Sequence, residues 1–188
     1  MARPRSDDKR SAILAAAIQV IASQGLGAPT ATIARQAGVS NGSLFTYFET
    51  KAHLLNHLYV GLKSEMAAAA LDGLPTGSDT RTQMLHMWSH WLLWATSCPD
   101  KRRALAHLGV SDEITPQSHQ TASLAFAGVR ELLEKSRAKG PMRDAPLGFV
   151  TALMSALADA TIDFMVRDPA SADQCCKDAF DALWRIVA

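Results

Sequence analysis

Few residues in this chain have the types and spacings that reaction chemistry requires. His86 and His90 stand four apart, so on a helix both rings project from one face at metal-pair spacing. No Glu follows His86 to act as a base and no third ligand stands nearby, so a solvated face is the plainer reading. His107 is a further candidate base, but no nucleophile–base–acid set or cofactor loop surrounds any of the three. Cys98, Cys175 and Cys176 are odd in number and lack zinc-ligand spacing, which fits reduced thiols. The Cys175-Cys176 pair could sense redox, though no adjacent motif argues for a lowered thiol pKa and buried inert thiols are commoner. The expectation is a protein that is not an enzyme and has no metal or cofactor.

A different chemistry is concentrated in "AGVSNGSLFTYFETK", residues 37–51, where Phe45, Tyr47 and Phe48 crowd into four positions of a chain with only 6% aromatics. On a helix Phe48 joins Leu44 on one face at i, i+4 spacing and points inward. Phe45 points outward, where it offers a thymine methyl or a sugar apolar contact but no hydrogen bond. Asn41 is the only side chain in the first turn able to hold adenine through two hydrogen bonds; solvation or local capping is the alternative. Gly42 permits a close approach of the backbone. Lys51 begins a helix, where its charge opposes the macrodipole, and a phosphate contact explains it better than solvation does. Residues 1–60 carry six basic and three acidic side chains, against thirteen and fifteen in the remainder, so a polyanion would be met by the first third. Arg3 and Arg5 read either as an arm following the DNA or as a disordered tail.

The elements that must position these residues are all helices. Apolar residues recur at three- and four-residue spacing between Gly and Pro punctuation, and nothing reads as a strand. A first helix presents Ile13, Ala17, Ile18 and Ile21 and stops at Gly25 and Gly27. Short helices follow over about residues 30–37 and 41–48, with Pro29 at the first entry and Ser40 as cap of the second. Thr50 caps a fourth, carrying Leu54, Leu55, Leu58, Tyr59, Leu62 and Met66. Further helices are expected over 80–97, from 101, after the loop "SDEITPQSH", and over 147–166 and 172–187. The architecture is all-α with about nine helices: a helix-turn-helix domain over 1–52 and a helical domain over 53–188. Gly38 allows a left-handed turn, Val39 plugs the angle between the short helices, and Ile33, Ala34 and Leu44 seal them. No run approaches a membrane-spanning length and no signal core opens the chain, so a cytoplasmic protein is expected.

These residues resemble the TetR family of bacterial regulators. The resemblance rests on "ILAAAIQVIASQGL" and "TIARQAGVSNGSLFTYFETKAHLL", about residues 10–60, and is only architectural afterwards. It implies that Thr30, Thr32, Ser40, Asn41, Gly42, Ser43, Phe45, Thr46, Tyr47 and Lys51 meet double-stranded DNA, with Tyr47 on a phosphate. Asn41 stands where the family often has Lys, Ser43 where Thr is usual, and Phe45 where Tyr is usual. The segment "GLGAPTATIA" is one residue shorter than the common spacing, with Pro29 where a threonine often caps.

The resemblance also implies an effector pocket and a dimer interface in the second domain. Met84, Met87, Trp88, Trp91 and Trp94 form one stripe, which is either core or, with Phe126, the wall of a pocket for an apolar molecule. The last two helices have broad apolar faces, and Phe164, Phe180, Leu183 and Trp184 are the expected homodimer contacts. The function expected is a ligand-responsive repressor that binds a palindromic operator as a dimer. It would be released by a small apolar or aromatic effector, with no membrane role. The rivals are a small helical enzyme and an interaction module with a non-functional helix-turn-helix.

Overall fold

A computed structural model describes the backbone from Pro4 to Ala188 and side chains from Asp7 onward. The described residues form ten α-helices and no strand: α1 (Pro4–Gln24), α2 (Thr30–Gln36), α3 (Asn41–Tyr47), α4 (Lys51–Leu71), α5 (Thr80–Ser97), α6 (Pro99–Gly109), α7 (Pro116–Ala125), α8 (Ala127–Arg137), α9 (Leu147–Arg167) and α10 (Ala172–Val187). A 3-10 turn, Pro169–Ser171, links the last two. The single helix expected after residue 119 is two. Thr115 accepts from the Ser118 N–H at 3.2 Å and starts α7 at Pro116, inside the expected loop. Phe126 then leaves helical geometry at φ −90°, ψ 12° and divides α7 from α8. The apolar spacing continues across this break, so periodicity alone could not reveal it.

Two compact units result. The first comprises residues up to Ser64 with Cys98–Leu124; the second comprises Glu65–Ser97 with Ala125–Ala188. Packing therefore does not divide at residue 52. The helix α4 runs through the boundary, and α6 joins the first unit because it lies along α1. In that unit Ile13 and Ala17 of α1, Ile33 of α2, Leu44, Leu54 of α4 and Ala104 of α6 are all fully buried. The Asn56 carboxamide ties α4 to the segment before α7: its Nδ2 donates to the Glu113 carbonyl at 2.7 Å, and its Oδ1 accepts from the Thr115 N–H at 2.8 Å. Tyr59 Oη lies 3.1 Å from His119 Nδ1 in the same unit.

In the second unit α5 packs against α8, α9 and α10. Its first turn is fixed by Asp79, which accepts from both the backbone N–H and the hydroxyl of Thr82; those bonds hold the Asp79 carboxyl below its usual pKa. Arg137, buried at the end of α8, donates to the carbonyls of Met142 and Ala145 at 2.8 and 2.6 Å and so shapes the entry to α9. The 21-residue helix α9 holds an 18-residue stretch of mean hydropathy 1.5, which by length and composition alone is enough to cross a membrane. It nevertheless carries Asp159 and Asp163, and it buries Val150, Met154, Ala158 and Ile162 within the unit.

Candidate nucleic-acid interface

Each joint of the helix-turn-helix is built by a residue suited to it. The turn after α2 passes through Gly38 at φ +69°, a left-handed conformation costly for any residue with a Cβ. The Val39 N–H returns to the Ala34 carbonyl at 3.0 Å, which closes the turn. Ser40 then caps α3, its hydroxyl accepting from the Ser43 N–H at 3.0 Å. Thr50 caps α4 in the same way, through the His53 N–H at 3.0 Å. Pro29 precedes α2 in extended conformation and supplies no side-chain cap.

Phe48 terminates α3 instead of extending it, at φ −135°, ψ 100°, and its ring is fully buried. The Arg10 guanidinium lies 5.4 Å from the ring centroid and donates to His57 Nε2 at 2.8 Å. His53 and His57 flank the same ring at 5.9 and 5.8 Å. Burial first, then the neighbouring Arg10 and His53, holds the His57 pKa below its ordinary value of 6.5. A neutral imidazole is what Arg10 needs as an acceptor, so α1, α3 and α4 are joined through one aromatic ring and one unprotonated histidine.

With Leu44 inward, the opposite side of α3 presents Asn41, Gly42, Phe45 and Thr46, all exposed, with Phe45 at 39%. The expected readers of bases thus share one outward face. A Cβ added at Gly42 would approach only Ser40 Oγ, at 4.0 Å, so nothing within the chain requires glycine there. Ser40 is exposed, but its hydroxyl is engaged in the cap, and the Thr46 hydroxyl donates to the Gly42 carbonyl at 3.2 Å. Ser43, Tyr47, Thr30 and Thr32 are half-buried at the margins of this face and of α2.

Lys51 differs from its expectation in one respect. Its ammonium donates to the Leu26 carbonyl at 2.5 Å and ties the start of α4 to the turn between α1 and α2. The expected arm residue Arg3 and the side chain of Arg5 lie outside the described residues. Sequence reasoning missed Arg10 as the anchor of Phe48, and it missed Arg35, exposed at the end of α2. The available signal for Arg35 was its isolation: it is the only basic residue between positions 30 and 50.

The second unit modifies the effector and dimer expectations. Met84, Met87 and Trp88 are packed in its core, and Met87 and Trp88 expose no surface at all. The Trp88 indole donates to the Cys176 carbonyl at 3.1 Å, and the Trp94 indole donates to Glu65 Oε1 at 2.9 Å. Both N–H groups therefore have protein partners, while Trp91 and Phe126 remain half-buried. Phe180 and Leu183 are 1% and 2% exposed, buried by their own chain, with Phe180 beneath the Arg81 guanidinium. They are core and cannot present a surface to a second copy. Phe164, Phe149 and Ile186 are exposed instead, and Trp184 is intermediate. Cys176 is buried, and that burial raises its thiol pKa, which fits an inert thiol.

Residues 13–58 match the model for bacterial regulatory proteins of the tetR family. The whole structure is similar to a candidate tetR-family transcription regulator from Shewanella sp. PV-4, at 29% identity and TM-score 0.84, over 94% of this chain and 96% of that one. It is also similar to a TetR-family transcription regulator from Marinobacter aquaeolei VT8, at 22% identity and TM-score 0.85, over 97% and 96% of the two chains. A third similar structure is the TetR-like regulator LfrR from Mycobacterium smegmatis in complex with proflavine, at 20% identity and TM-score 0.70, over 96% and 98%.

Proposed function

We infer from TetR-family sequence over residues 13–58 and a TetR-family fold along the chain that this protein is a transcriptional regulator, and we propose that it represses by holding a palindromic operator as a homodimer. The observation that carries the reading is the outward face of α3. A short helix, capped by Ser40 and held by Leu44 and Phe48, presents Asn41, Gly42, Phe45 and Thr46, all exposed among the described residues. Such a helix fits a major groove about 12 Å wide. Tyr47, with Thr30 and Thr32 at the start of α2, is suited to the flanking phosphates, and the remaining Lys51 N–H groups are suited to another.

The two α3 helices of a dimer would enter half-sites about 34 Å apart. An effector bound in the second unit would change that separation, and a shift of a few ångströms is enough to lose one half-site. The half-buried Trp91 and Phe126, with Trp94, suit an aromatic or apolar effector better than the packed Met84, Met87 and Trp88. The proflavine bound by LfrR is an aromatic precedent on the same fold. For dimerisation the exposed residues Phe149 and Phe164 of α9 and Ile186 of α10, with Trp184, are the suitable surface.

Tyr47→Phe tests the DNA assignment, because it removes one hydroxyl from a half-buried ring and leaves the fold intact. The expected result, read by fluorescence anisotropy on operator DNA, is a loss of about three- to tenfold, of similar size on specific and random duplexes. Unchanged affinity on both would count against α3 as the DNA-facing helix.

A further inference from the structure

The chemistry of the α3 surface restricts which bases it can read. The helix, "NGSLFTY", carries no charged side chain, so it lacks the Arg or Lys that grips guanine O6 and N7 and the Asp or Glu that accepts from cytosine N4. Its other polar groups are committed or partly covered: the capping Ser40 hydroxyl accepts from the Ser43 N–H, the Thr46 hydroxyl donates to the Gly42 carbonyl, and Ser43 and Tyr47 are half-buried. With its hydroxyl so bonded, the exposed Thr46 has its methyl group to offer, on the same face of α3 as the exposed Phe45 ring. Two apolar groups on one groove-facing surface match the thymine C5-methyl, the only apolar feature on any base edge in the major groove. Asn41 remains as the amide able to meet adenine N6 and N7 together. Gly42, where an added Cβ would meet only Ser40 Oγ at 4.0 Å, lets the backbone come close enough for these short side chains to reach.

We propose that α3 reads A·T pairs: Phe45 and the Thr46 methyl contact consecutive thymine methyls, Asn41 pairs with an adenine, and no G·C pair beneath α3 is recognised directly. This rests on α3 being the DNA-facing helix. The ligand class it names is a palindromic duplex whose half-sites have an A·T-rich block where α3 lies. Guanines, where they occur, would fall at flanking positions, with the exposed Arg35 of α2 as the candidate to meet them.

The test begins with duplexes selected from random DNA by the full chain, followed by chemical editing of the half-site. Replacing thymine by deoxyuridine removes only the methyl group. The expected loss is about threefold or more at the thymines under α3 for the natural chain, and none for Phe45→Ala at the thymine Phe45 covers. An A·T to G·C change there should cost about five- to a hundredfold, and 5-methylcytosine in that G·C pair should recover part of the loss. Asn41→Ala should relax selection at one adenine and leave the thymines unchanged. Because Asn41 and Phe45 are exposed, thermal midpoints of both variants should match the natural chain. A selected palindrome with G·C pairs protected beneath α3, or deoxyuridine without effect, would overturn this inference while leaving operator binding intact. Absence of any enriched sequence would overturn both readings together.

Discussion

Gly42 separates the demands of the fold from those of the ligand. A Cβ at this position meets nothing closer than Ser40 Oγ, so Gly42→Ala should leave stability unchanged or raise it by up to about 0.5–1 kcal/mol, as helix propensity requires. Operator affinity should fall in the same variant, because the added methyl occupies the surface that approaches the groove. Thermal unfolding and DNA titration on one sample check both signs. His57 makes a second residue-scale prediction. Its folded pKa is depressed, so above pH 6.5 it is neutral in both states and its contribution to stability is fully present. As pH falls from 6.5 through the lower folded value, the unfolded chain binds the proton first, and stability is lost. Melting midpoints measured between pH 8 and pH 5 should drop over this window, and His57→Gln, which keeps an acceptor for Arg10, should flatten that part of the slope.

At the scale of elements, the turn and caps were legible because their chemistry is local. Gly38 adopts φ +69° and Ser40 bonds a backbone N–H three residues away, so a short window of sequence contains both causes. Gly38→Ala should accordingly cost about 1–2 kcal/mol in chemical denaturation, the penalty of a left-handed residue with a Cβ. Asn56 was illegible as a clamp because its partners are the backbone of Glu113 and Thr115, which no side-chain pattern announces. Asn56→Ala should accelerate hydrogen exchange at the Thr115 amide well before it affects α1 or α2. Lys51 was read by its charge, and its bond to the Leu26 carbonyl depends on a turn 25 residues earlier. The stretch after residue 119 was read as one helix because apolar spacing persists through the break at Phe126.

At the scale of the molecule, the all-helical fold was legible from periodicity, while the destination of each apolar face was not. Phe180 and Leu183 have the spacing of an interface and are buried by their own chain; Phe149 and Phe164 have the same character and remain exposed. Periodicity reports that a face is apolar and is silent on whether it meets the same chain or a copy. Phe164→Arg should therefore shift the protein toward monomer in sedimentation without lowering the monomer's helical content, whereas Phe180→Arg should unfold the second unit. The expected domain boundary at 52 follows the motif, whereas the packed unit also takes in α4 as far as Ser64 and all of α6, which packs along α1. Recognition of a two-fold DNA sequence by a dimer of this chain, through α3, is what the proposed function requires. Selection of bound fragments from random DNA at about 150 mM salt addresses it most directly. The expected result is a palindrome whose half-sites are centred about 10 base pairs apart, or a multiple of that spacing, with affinity falling steeply as salt rises. Enrichment of no sequence, or of a single asymmetric site bound by one chain, would contradict it.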